Sequence, residues 1–180
     1  WAGFGFVRTP STGSPAAHRI AAWMSLVKPK HLPSTRTGIT LTFQPAAVGT
    51  GIRFRRTDLA GAPETPAHVS MATAAERRTQ LGSGEQALHT IEHVLAAVAG
   101  LAVDDLLIAM DAAEPPIMDG SAESFRAALV DAGIVEQGGR ADVLRLREAV
   151  RVVDGESVYV AHPADCLDLE VQIDFAHPLI

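Results

Sequence analysis

The chain has 180 residues, of which 47% are hydrophobic, 20% charged and 5% aromatic, with a net charge of −6. That composition is ordinary for a globular protein; scarce aromatics and net negative charge argue against nucleic-acid binding. A single cysteine, Cys166, excludes a disulfide framework and any all-cysteine zinc site.

Charge is unevenly spread. Residues 1–57 hold no Asp or Glu but eight of the 15 basic residues, while all 21 acids follow. The Pro-, Ser- and Arg-rich stretch 1–37 has no sustained periodicity and reads as a divergent basic, disordered segment. A targeting segment or the start of a partial sequence are the other readings. The longest apolar run, Val94 to Val103, is about half of what a membrane-spanning helix needs.

Order is expected from Gly38. Ile39, Leu41 and Phe43 alternate with Thr40, Thr42 and Gln44, the pattern of a half-buried strand. Ile52 and Phe54 alternate with Arg53 and Arg55, which suggests the second strand of a hairpin, and 67–71 suggests a weaker strand. Leu88, Ile91, Val94, Leu95 and Val98 recur at three and four residues and predict a helix over about 84–99. Leu106 to Met110 reads as a strand. Phe125 and Leu129 lie on a second helix over about 121–132, closed by Gly133. Gly138-Gly139 suggests a boundary. Strands alone are expected afterwards, at 143–146, 150–153, 158–161 and 167–175, with an Asp154-Gly155 turn. Cys166 falls in that pattern as a small core side chain. The fold class is α+β: a two-layer unit of sheet plus helices over 38–138, then the truncated start of a second similar unit over 139–180. Strands left uncovered there would make the chain poorly soluble.

On a helix over 84–99, His89, Glu92 and His93 share one face, at i, i+3 and i+4. A carboxylate beside an imidazole on a rigid helix suits zinc hydrolysis, and His89–His93 spells the inverted zinc-peptidase motif H-x-x-E-H. A polar helix face turned to water has the same spacing, so a non-catalytic binding domain stays open.

A longer pattern separates these readings. Thr90-Ile91-Glu92-His93-Val94-Leu95-Ala96-Ala97 is followed by Glu114-Pro115-Pro116-Ile117-Met118-Asp119-Gly120-Ser121-Ala122, then Phe125 and Asp131-Ala132-Gly133-Ile134. With Thr42 to Ala46, Arg55 to Leu59 and Ile173 to Pro178, this resembles the N-terminal half of the UDP-3-O-acyl-N-acetylglucosamine deacetylases, the zinc amidases of lipid A biosynthesis. The resemblance implies that Glu92 is the general base and His93 one of three zinc ligands. It places Asp174 and Phe175 at the uridine end of the substrate, and gives Asp119, Gly120 and Ser121 a structural part at the second helix. His89 is not reserved for a ligand there. It also implies a UDP-linked acylated amino-sugar as partner, no nucleic acid, no transmembrane segment, and a cytoplasmic, monomeric full-length enzyme of a Gram-negative bacterium. The family's other two zinc ligands and its acid histidine lie further along than these residues, so this chain is expected to be inactive alone. Residues 21–37 lack the family's glycine-rich stretch.

Overall fold

A computed structural model describes residues 16–20, 24–28, 38–140 and 145–172. They fall into two units, 16–140 and 145–172.

The centre of the first unit is a five-stranded sheet. It contains β2 (Met24–Lys28), β3 (Ile39–Pro45), β4 (Ile52–Arg56), β5 (Glu64–Pro66) and β9 (Leu106–Met110), in the order β2-β3-β9-β4-β5. Strands β3 and β4 are therefore not the hairpin that their alternation suggests. β9 lies between them, antiparallel to β3 and parallel to β4. The reason is its composition: β9 buries four of its five residues, so it needs a neighbour on each edge and cover on both faces. Two carboxylates fix it there. Asp105 Oδ1 accepts the Gly51 N–H at 2.8 Å, and Asp111 Oδ1 accepts the Thr40 N–H at 2.8 Å.

Register then aligns one apolar face. Leu41 lies opposite Met110, Phe43 opposite Ile108, and Phe54 beside Ile108 on the other edge. Helices α1 (Glu92–Gly100) and α2 (Glu123–Ala132) join this row in one core, through Val94, Ala97 and Val98 and through Phe125, Ala128 and Leu129. Each fully buried Leu or Phe contributes about 1.5–3 kcal/mol. The other face is half-buried, and there Glu64 bridges Arg53 and Arg55.

Two further sheets complete the unit. β1 (Ala16–Ile20) pairs with β10 (Ile134–Arg140). β6 (Ala72–Thr73), β7 (Gln80–Leu81) and β8 (Leu88–His89) form a small antiparallel sheet. β1 and β2 both lie inside the 1–37 segment that the sequence marks as disordered; cross-strand pairing, without alternation, defines them. β10 runs through Gly138-Gly139, and the two units divide just beyond it, after residue 141. The segment 67–71 holds a 3-10 turn, Val69–Met71, and not a strand.

The first helix is also shorter than its periodicity suggests. It begins at Glu92, preceded by a 3-10 turn at Gly84–Gln86 and by β8. Leu88 and Ile91 are both fully buried, so the apolar spacing is real. It is produced by a strand and a helix end that happen to face one core, not by a single helix.

In the second unit, β11 (Val150–Asp154) and β12 (Ser157–Ala161) form a hairpin whose turn holds Gly155 at φ +56°. Val152 pairs with Tyr159 on one face and Val153 with Val158 on the other, and all four are exposed. The expected strand over 167–175 is absent from 167–172, which take no regular structure, and 173–175 lie outside the described residues. Of the strand expected at 143–146, residues 145–146 are likewise irregular and 143–144 lie outside the described residues. Cys166 is exposed, not a core side chain: without that strand no alternation turns it inward. No helix among the described residues is long and apolar enough to cross a membrane.

Candidate active site

The site is built where β8 turns into α1. Leu81 and Leu88 face each other across β7 and β8 and are buried, which ties the small sheet to the core. His89 donates its N–H to Ala113 O at 2.8 Å, joining β8 to the chain leaving β9. Thr90 then adopts φ +53°. For a β-branched residue this left-handed conformation costs on the order of 1–3 kcal/mol. Thr90 lies between His89, the last residue of β8, and Ile91, the fully buried residue that precedes α1.

Glu92 is thus the first residue of α1, where the helix dipole favours a carboxylate. Its Oε2 accepts the Thr79 N–H at 3.0 Å. Its Oε1 is buried and has no hydrogen-bond partner. His93 follows, half-buried, in the same first turn.

His89 sits on β8, outside the helix. The common helical face proposed for His89, Glu92 and His93 is therefore not formed, and the inverted peptidase motif loses the i, i+4 geometry it needs. Burial, and secondarily the Arg78 cation, holds the His89 imidazole below its ordinary range. Its Nδ1 is buried without a partner.

The loop ahead of β8 is held by Arg56, which is 5% exposed. Its Nε and Nη2 donate to Asp58 Oδ1 and Oδ2, each at 2.8 Å. Its Nη1 donates to Ala87 O at 3.0 Å and to Glu85 O at 3.2 Å. The Asp58 hydrogen bonds raise the guanidinium pKa further. Neither Arg56 nor Thr79 stands out in the sequence. The Thr79 contact is made by main chain, which leaves no residue-type signal, and Arg56 sits among arginines that face water.

Asp119, Gly120 and Ser121 lie in the loop before α2. Asp119 Oδ1 accepts the Ser121 N–H at 3.1 Å, and its carboxylate also accepts the Ser121 hydroxyl at 3.0 Å. Ser121 Oγ accepts the Glu123 N–H at 3.1 Å, at the first turn of α2. Gly120 takes φ +81°, open to glycine and strained for other residues. The Ser121 N–H, then its hydroxyl, hold the Asp119 carboxyl below the usual range. Its hydrogen bonds stay within this loop and the start of α2. Asp174 and Phe175 lie outside the described residues.

Among the described residues no group of three or more His, Cys, Asp or Glu side chains could hold a metal ion. An imidazole such as that of His93 suits zinc, but a catalytic zinc takes three protein ligands. The donors present therefore fit a share in a zinc site and do not complete one.

The family model described as "LpxC: UDP-3-O-acyl N-acetylglycosamine deacetylase" matches residues 34–180. A UDP-3-O-acyl-N-acetylglucosamine deacetylase of Myxococcus xanthus is 42% identical over 142 residues, covering 79% of this chain and 45% of the relative. One from a Psychrobacter species is 41% identical over 140 residues, covering 78% and 47%. The bifunctional enzyme LpxC/FabZ of Chlorobaculum tepidum is 39% identical over 143 residues, covering 78% and 31%. The chain spans about half the length of the deacetylases it matches, or less. With that match over more than half of its length, it belongs to the UDP-3-O-acyl N-acetylglycosamine deacetylase family.

Proposed function

We propose that this chain supplies the general base and one metal ligand for hydrolysis of the acetamide of UDP-3-O-acyl-N-acetylglucosamine, in bacterial, cytoplasmic lipid A synthesis. The observation that carries the reading is Glu92 itself. One oxygen is anchored and the other is buried and partnerless, on a helix turn that also presents His93.

His93 would be one of the zinc ligands, the others coming from parts of the family's length that this chain does not span. Zinc, when held, lowers the pKa of water to about 7 and polarises the amide carbonyl. Glu92 takes the proton of the attacking water. A carboxylate fixed on a helix end does this without first having to be oriented. The amide C–N bond breaks, acetate leaves, and the nitrogen takes up a proton and stays on the sugar as the amine. Asp174 and Phe175 are assigned to the uridine end of the substrate, where an aromatic ring suits uracil. Asp119, Gly120 and Ser121 serve the entry to α2. The hairpin of β11 and β12, apolar on both faces, is read as the start of a second unit of the same plan.

The test is a chimera in which residues 38–180 replace the matching half of the Myxococcus xanthus deacetylase. It is assayed for acetate release from UDP-3-O-acyl-N-acetylglucosamine. Glu92→Gln is expected to lower kcat by about 10²–10⁴. His89→Ala is expected to leave kcat within a few-fold. A Glu92→Gln chimera as fast as its parent would refute the assignment.

A further inference from the structure

The ladder between β7 and β8 pairs Gln80 with His89 and Leu81 with Leu88. One step further in that register, Thr79 would face Thr90. Thr90 instead turns aside at φ +53°, and the ladder ends. The Thr79 N–H bonds Glu92 Oε2 at 3.0 Å, two residues beyond Thr90. The small sheet thus reaches the carboxylate through main chain. Thr79 itself is exposed, so its side chain is not needed for packing.

The two oxygens of Glu92 are therefore not equivalent. Oε2 is occupied by an N–H donor, whereas Oε1 is buried with no partner. A buried carboxylate oxygen without a donor is an unmet hydrogen-bonding demand, and such groups call for a specific explanation. We propose that the Thr79 main-chain amide is a positioning group for the base, fixing Glu92 through Oε2 so that Oε1 is the atom that receives the proton. This rests on reading Glu92 as the base. The strained Thr90 has a purpose in the same scheme: it ends the ladder at the residue where the amide is needed. A carboxylate held by one oxygen keeps its place in the reacting geometry, and a shift of about 1 Å there costs up to about 100-fold in rate.

Two measurements test this. In the full 180-residue chain, exchange of the Thr79 amide with solvent deuterium is followed in the parent and in Glu92→Ala. The expected result is an amide slowed at least tenfold in the parent and released in Glu92→Ala, with Leu81 and Leu88 amides unchanged. An open Thr79 amide in the parent, or one still slowed in Glu92→Ala, overturns the proposal. In the chimera, Thr79→Ala keeps the N–H and should stay within about twofold of the parent, while Thr79→Pro removes it. Thr79→Pro should lose at least tenfold in kcat with KM unchanged. Should it fail to fold, seen as loss of Leu81 and Leu88 protection, the exchange comparison decides alone. If Thr79→Pro keeps full kcat while Glu92→Gln loses it, the positioning role falls and the base survives. If Glu92→Gln keeps full kcat, the base assignment falls, and the positioning role with it.

Discussion

Replacing Arg56 by methionine should be the most damaging single change outside the apolar core. Methionine keeps an unbranched stem of similar bulk and deletes the guanidinium. Four hydrogen bonds go with it: two to Asp58 at 2.8 Å, one to Ala87 O at 3.0 Å and one to Glu85 O at 3.2 Å. The Arg56 and Asp58 side chains are only 7% and 15% exposed, so water replaces little of what is lost. Breaking such a pair typically costs about 3–5 kcal/mol. The expected loss is thus about 3–5 kcal/mol, a large share of the 5–15 kcal/mol that holds a domain together. Urea unfolding of the parent and Arg56→Met, with the slope compared as well as the midpoint, measures it. Arg56→Lys should lose most of the same energy, because an ammonium cannot match the two-pronged contact. In a double-mutant cycle with Asp58→Asn the coupling should exceed 1.5 kcal/mol. A loss below 1 kcal/mol for Arg56→Met would refute the buried network.

Other consequences follow from the same geometry. Ser121→Ala removes the acceptor of the Glu123 N–H and should cost about 1 kcal/mol, and Gly120→Ala, with nothing within 4 Å of an added Cβ, should cost about 1–2 kcal/mol from its φ of +81° alone; thermal melts read both. The Asp119 and Glu64 carboxyls are depressed, by Ser121 and by Arg55 and Arg53 respectively, so they stabilise the fold above the ordinary carboxyl range. That contribution should fade as pH falls below about 4 and through the lowered folded values, with Asp119→Asn showing a shallower acid limb in pH-dependent unfolding. Val152, Val153, Val158 and Tyr159 are 52–60% exposed on both faces of the β11–β12 hairpin, and the chain should self-associate; sedimentation tests this, and a monomer at tens of micromolar would contradict it.

The candidate site could be proposed from sequence because its residues lie in a contiguous string. Glu92 and His93 are adjacent, and the run from Glu114 to Ala122 is long enough to carry a family resemblance without structure. The strands that alternate over a half-buried face, β3 and β4, were legible for the same reason. Pairing was not. β9, apolar at all five positions, separates β3 from β4, but an apolar run shows that a strand is buried and not which strands flank it. The helix start was misplaced for a related reason. Leu88 and Ile91 satisfy helical spacing, and only the left-handed Thr90 shows that they belong to different elements. A β-branched residue gives no local warning of such a conformation. The group that anchors Glu92 left no signal because Thr79 acts through its main chain, and Arg56, which holds the loop ahead of β8, is an arginine among arginines.

One paired measurement separates proton transfer by Glu92 from metal binding by His93. Zinc content and acetate release are determined together for the chimera, for Glu92→Gln and for His93→Ala. Glu92→Gln is expected to keep one zinc per chain but lose turnover by about 10²–10⁴, and His93→Ala to lose both. A Glu92→Gln enzyme that turns over at the parent's rate, or a His93→Ala enzyme that keeps its zinc and its turnover, would contradict it.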